Sequence, residues 1–257
     1  MVDSYLSELF DMRGRVAVVT GASRGLGQSM ALALARAGAR ICLVGRQDNL
    51  GETARLVEAQ AGDSCQVICQ LTESSCSEAI TTACLDRWGR LDVLVNNAGT
   101  FIRKPAADWT MEDWDQVVDV NLRSVFELCR RAGRIMLSQG AGKIINIASV
   151  LAFQGGITVP GYAASRHGVI GLTRALANEW AGSGVNVNAI APGYMATDQN
   201  ADLFADADRS ATLLNRIPAG RWGTANDIDG ACLFLASDAS SYMHGQVLVV
   251  DGGWLSR

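Results

Sequence analysis

The sequence predicts an α/β protein, one doubly wound parallel sheet in a single domain spanning residues 1–257. Two observations carry this. Short β-branched runs alternate with helix-length segments from one end of the chain to the other. The strand-like runs are also apolar on both faces, as parallel strands covered by helices should be. Composition agrees: 49% of the residues are hydrophobic, and 27 glycines against 4 prolines suit many tight strand-to-helix turns. A chain of this length can bury a sizeable core.

The first strand is expected over residues 15–20, a β-branched run ended by glycine. Residues 25–38, with Met30, Leu32, Leu34 and several alanines, read as the first helix. Further strands are expected over 41–44, 65–69, 91–95, 143–148, 185–190 and 247–250. Helix-length segments lie between them, among them 121–139 and 162–181. This is a βαβ series, so its crossovers should be right-handed. The least regular stretch, 194–220, is polar and mixed, and suits either a lid over a site or a long surface connection.

Several function classes are disfavoured. A net charge of -4 offers no general basic surface for nucleic acid. No apolar run reaches the roughly 18 residues of a membrane span, and the first eleven residues lack the basic start and apolar core of a signal peptide. The seven cysteines, Cys42, Cys65, Cys69, Cys76, Cys84, Cys129 and Cys232, mostly fall in apolar runs without Cys-x-x-Cys spacing. They read as reduced, buried thiols of a cytoplasmic protein. With only two histidines, His167 and His244, neither a metal site nor a Ser-His-Asp triad is expected.

The strongest chemical signal follows the first strand: Thr20-Gly21-Ala22-Ser23-Arg24-Gly25-Leu26-Gly27. Glycines at these spacings let the backbone approach a pyrophosphate, and the helix N-terminus offers N–H groups and partial positive charge to it. A strand before and a helix after make this the dinucleotide turn of a Rossmann fold. The second strand ends Val44-Gly45-Arg46, with no acid to bind the 2′-hydroxyl of an NAD ribose. Arg24 and Arg46 can accommodate a 2′-phosphate instead, which favours NADP(H) over NAD(H).

Ser149 is followed thirteen residues later by Tyr162, in Gly161-Tyr162-Ala163-Ala164-Ser165-Arg166. This arrangement resembles the short-chain dehydrogenase/reductase family, whose catalytic segment is a serine followed by Tyr-x-x-x-Lys. The resemblance runs from Gly14 to Gly253, and it implies nicotinamide-dependent hydride transfer. Carried over residue by residue, it makes Asn121, Ser149, Tyr162 and Arg166 the catalytic set, with Arg166 in place of the family lysine. Tyr162 would be the base, and Ser149 would hold the substrate oxygen. The family lysine binds the nicotinamide ribose and assists a phenol whose unperturbed pKa is about 10. An arginine keeps the charge but is a poor proton relay.

The resemblance also implies that Asn97-Ala98-Gly99 lines the cofactor channel and that Pro192, Gly193 and Thr197 hold the carboxamide. Gln70, followed by Leu71, stands where the family usually has an adenine-binding aspartate; its amide carbonyl can still accept. Segments around Phe153-Gln154-Gly155-Gly156 and Arg216-Ile217-Pro218-Ala219-Gly220 are similar to a subgroup acting on sugar acids. That subgroup generally uses NAD, against the reading of Arg46. Arg103 and Gln154 are the candidate ligands of a substrate carboxylate. The family is usually tetrameric, with the helices at 121–139 and 162–181 pairing across a two-fold axis. Two other readings stand beside this one: reduction of another ketone, such as a 3-oxoacyl thioester, and nucleotide binding with little turnover because of Arg166.

Overall fold

Residues 2–60, 62–200, 203 and 206–257 are described by the computed structural model. Helix α1 (Val2–Phe10) precedes β1 (Val16–Thr20), α2 (Gly25–Arg36), β2 (Arg40–Gly45), α3 (Gly51–Glu58), β3 (Ser64–Ile68), α4 (Cys76–Trp88) and β4 (Val93–Asn96). Then come α5 (Met111–Val118), α6 (Ser124–Gln139), β5 (Gly142–Ile147), α7 (Pro160–Trp180), β6 (Val185–Pro192), α8 (Ala207–Leu214), α9 (Asp229–Ala236) and β7 (Val247–Val250). The seven strands form one parallel sheet in the order β3-β2-β1-β4-β5-β6-β7. Chain order reverses direction between β1 and β4, which opens a crevice at their carboxyl ends.

Side chains alternate across the sheet because successive Cβ atoms point to opposite faces. Ala17, Val19, Ile41, Leu43, Val93 and Val95 pack with Met30 and Leu34 of α2 and Leu235 of α9. Val16, Val18, Val44, Leu94, Ile144 and Val187 pack on the other face with Ile80 of α4, Leu128 and Met136 of α6 and Trp180 of α7. Each fully buried aliphatic side chain contributes about 1.5–3 kcal/mol, so the two helical layers hold the strand ends in place.

Four expectations are corrected. The edge strands β3 and β7 are not buried on both faces: Ile68 is 50% and Val249 42% exposed, since an edge strand has neighbours on one side only. The helix expected over 121–139 is broken at its start: Asp119–Arg123 is a π-helical turn joining α5 to α6. The irregular stretch at 194–220 holds a short 3-10 turn (Asp198–Asn200) and α8, while residues 201, 202, 204 and 205 lie outside the described residues. Finally, the cysteines are not all free thiols, because Cys69 and Cys76 are joined by a disulfide that ties the chain after β3 to the start of α4. Cys42, Cys84, Cys129 and Cys232 are buried thiols, and burial pushes Cys129 up to about 12.

Among the described residues, no helix is long and apolar enough to cross a membrane. Among the same residues, no group of three or more His, Cys, Asp or Glu is placed to hold a metal.

Candidate active site

The turn after β1 is packed tightly enough to require glycine. Gly21 adopts φ 65°, and a Cβ there would stand 3.1 Å from Ala98 Cα. A Cβ on Gly27 would run into the carbonyl oxygen of Gly21 and stand 2.5 Å from Asn97 Nδ2. The ends of β1 and β4 are stitched together by Thr20: its hydroxyl accepts from Asn97 N and Ala98 N, both at 3.0 Å. Asn97 Nδ2 donates back to Thr20 O at 2.8 Å. The sequence reading missed Thr20, although a hydroxyl at the last strand position was the signal for it.

A cavity of about 1020 Å³ fills the crevice, at the upper end of ordinary small-molecule sites and suited to a dinucleotide. Gly21, Ser23, Arg24, Gly25, Leu26 and Gly27 line it from β1. Arg46 lines it from β2, Gln70 and Leu71 from β3, and Asn97, Ala98 and Gly99 from β4. Thr197 closes the side after β6. Pro192 and Gly193 do not line it. Pro192 ends β6 beside Val250, and Gly193 N donates to Val250 O at 2.9 Å. Phe101 and Asp198, absent from the expected set, do line the cavity.

Arg24 Nη1 pairs with Asp198 Oδ2 at 3.1 Å across the mouth. Both side chains are 71% exposed, so the pair contributes little and yields readily to a stronger anion. Arg46 is exposed at the end of β2 and makes no ion pair among the described residues.

The catalytic candidates come from three elements beyond β4. Ser149 follows β5 and caps the 3-10 turn Val150–Ala152, its hydroxyl accepting from Leu151 N at 3.1 Å. That leaves its own O–H proton to donate. Tyr162 lies in the first turn of α7, which Pro160 opens. The ring of Phe101 meets it edge-on at 6.2 Å.

Arg166, one turn further, is only 3% exposed. Its Nη1 donates to Ile147 O at 2.8 Å, and its guanidinium carbon lies 5.0 Å from the Tyr162 ring centroid. Its Nη2 presses on Gly99, where a Cβ would collide with it. Its Nε is buried without a partner among the described residues. Gly99 lines the cavity, so the guanidinium sits directly behind its wall, while Ser149, Tyr162 and Arg166 do not themselves line it. The glycine cradle, the helix N-terminus of α2 and this cation together fit a dinucleotide.

Asn121, expected in the catalytic set, has its side chain engaged by neighbouring segments. It is fully buried in the π turn, with Oδ1 accepting from Thr100 N and Nδ2 donating to Thr100 O, both at 2.8 Å, and to Ser165 Oγ at 3.2 Å. Its amide therefore positions the chain after β4 rather than a substrate. A second buried network, also missed, fixes β4, β5 and α7 together. Asn96 Nδ2 donates to Asn146 Oδ1 at 2.8 Å, and Asn146 Nδ2 donates to Thr173 Oγ1 at 2.9 Å.

Of the substrate candidates, Arg103 stacks on Phe101, its guanidinium carbon 4.8 Å from the ring centroid, which brings it near Tyr162. Gln154 is partly exposed after the 3-10 turn. Neither lines the large cavity.

The fold and this crevice define a nicotinamide-dinucleotide-binding α/β protein. A family profile described as Enoyl-(Acyl carrier protein) reductase matches residues 21–255. A 2-dehydro-3-deoxy-D-gluconate 5-dehydrogenase of Bacillus subtilis is 50% identical over 256 residues, covering 98% of this chain and 99% of that one. A candidate NAD(P)-dependent gluconate 5-dehydrogenase from Beutenbergia cavernae, crystallised with NADP at low occupancy, superposes with a TM-score of 0.93. It is 49% identical, over 96% of this chain and 99% of its own. A gluconate 5-dehydrogenase from Burkholderia cenocepacia in complex with NADP and tartrate gives 0.94 at 38% identity, covering 98% and 99%. The chain belongs to the short-chain dehydrogenase/reductase family.

Proposed function

We propose that this protein transfers hydride between a nicotinamide cofactor and a secondary alcohol or ketone of a sugar acid, with NADP(H) favoured. The observation that carries the reading is a dinucleotide-sized cavity with Tyr162 and Arg166 packed together behind Phe101 and Gly99 of its wall. When bound, the nicotinamide supplies the hydride acceptor or donor. The substrate hydroxyl proton passes to Tyr162 in oxidation and returns from it in reduction. Ser149, whose hydroxyl proton is left to donate, holds the substrate oxygen. Arg166 keeps a cation beside Tyr162, behind the Gly99 wall of the cavity.

Asn121 holds Thr100, and through it the chain carrying Phe101. Arg46 and Arg24 face the adenosine end, where a 2′-phosphate is the complementary anion. The sugar-acid class rests on the relatives, three of which carry gluconate-type names. The nucleotide-binder reading is not favoured, since the relatives are dehydrogenases and Tyr162 and Arg166 pack together behind Phe101 and Gly99 of the cavity wall.

We place the chain as a single cytoplasmic domain that assembles as a homotetramer through α6 and α7. Phe126 of α6, 43% exposed, supports that face. The test is cofactor titration by fluorescence together with initial rates on gluconate, 2-deoxygluconate and 2-dehydro-3-deoxygluconate. Saturable NADPH binding with turnover of at least one acid is expected. Binding without turnover of any of them overturns the reading.

A further inference from the structure

One corner of the molecule beside Ser149 is built from two segments distant in sequence. Ala219 N donates to Gly252 O at 2.9 Å, and Arg257 Nη1 donates to Asn215 O at 3.0 Å. Asp251 accepts from Gly253 N at 2.8 Å and Leu255 N at 2.9 Å, which fixes the turn that presents Trp254. Trp254 and Ile217, 2% and 4% exposed, pack with Val150, the residue after Ser149. Tyr194 leans on Trp254 with ring centroids 4.6 Å apart. The guanidinium carbon of Arg216 lies 3.9 Å from the centroid of the Trp254 ring.

This corner carries arginines. Burial pushes the Tyr194 hydroxyl up from the ordinary phenol range, while the charges of Arg216, Arg209 and Arg103 act the other way. Neither Arg216 nor Arg209 makes an ion pair among the described residues. Asp251 accepts within its turn, and Asp206 caps α8 by accepting from Arg209 N. Independently, Trp254 Nε1 is a buried donor with no acceptor among the described residues.

A guanidinium stacked on an indole keeps its edge N–H groups directed outward, in the fork that matches a carboxylate. We propose that Arg216, seated on Trp254, binds the carboxylate of the substrate, with Arg103 and Arg209 supplying the surrounding positive field. Arg216 thereby sets a preference for acids over neutral alcohols. This rests on the sugar-acid reading above. The carboxylate is held on Trp254, which touches Val150, so the rest of a short sugar chain extends toward Ser149 and Tyr162.

The test compares wild type, Arg216→Gln and Arg216→Lys on gluconate and on its uncharged amide, with NADPH affinity measured in parallel. The expected result is a KM for gluconate raised by at least roughly tenfold in Arg216→Gln. The acid-over-amide ratio of kcat/KM should collapse, the lysine variant should recover part of it, and cofactor affinity should hold. An equal loss on acid and amide, or no loss, overturns the assignment. Calorimetry of gluconate on the protein–NADPH complex separates this from the functional reading. Binding lost in Arg216→Gln while wild type shows no turnover supports the subsite and sinks the function. Turnover with binding unchanged in Arg216→Gln does the reverse.

Discussion

Replacing Arg166 with lysine should raise turnover about tenfold, which corresponds to about 1.4 kcal/mol of transition-state stabilisation, and leave the fold intact. The guanidinium is anchored on Ile147 O at 2.8 Å and wedged against Gly99, which holds it against the Tyr162 ring. A lysine ammonium carries the same charge on a flexible stem, can turn its donors to the phenol oxygen and a ribose, and can pass a proton onward. The stability terms nearly cancel. Losing the charged hydrogen bond to Ile147 O costs about 1.5–3 kcal/mol, and removing the buried, unpartnered Nε returns about 1–3 kcal/mol. A residual of about 1 kcal/mol would move Tm by about 2–4 °C. The assay is initial rate on a sugar acid, with thermal unfolding alongside, in wild type, Arg166→Lys and each combined with Tyr162→Phe. Removing the tyrosine hydroxyl should abolish activity in either background. No gain from lysine at unchanged Tm, together with an active Tyr162→Phe variant, would refute the reasoning.

Two further outcomes are expected. Arg46→Asp should shift preference toward NAD(H), because it removes a phosphate partner and supplies a ribose acceptor; an unchanged ratio of the two dissociation constants would show Arg46 to be merely solvated. Lys143, 5% exposed and bonded to Asn186 Oδ1 at 3.0 Å, is lowered by burial to about 8 from its ordinary 10.5. The folded protein therefore releases this proton before the unfolded chain does, and stability from this site rises as pH climbs from about 8 to 10.5. The Tm advantage of Lys143→Met over wild type should accordingly be larger at pH 7 than at pH 10, and a constant gap would count against it.

Much of the site was legible because its chemistry lies in short, local patterns. The glycine turn at Gly21, Gly25 and Gly27, the strand end at Asn97 and the spacing of Ser149 to Tyr162 each show in consecutive residues. The Asn96–Asn146–Thr173 network was not legible: an asparagine in a strand reads the same whether it faces solvent or two partners from other elements. The Cys69–Cys76 bridge was hidden for the same reason, since thiol pairing depends on where the chain after β3 meets α4.

By itself the sequence determined the fold class and strand succession, because binary patterning with periods of two and 3.6 is local. It also determined the cofactor class, because backbone approach to a pyrophosphate demands glycine at specific positions. Only the tertiary structure decided which groups Asn121 and Arg166 bond. Both are polar groups that burial forces to find partners, and those partners, Thr100 and Ile147, come from other elements. The Arg216–Trp254 corner likewise exists only once residues 213–220 dock on 251–257, since a charge gains its meaning from neighbours that chain order does not supply.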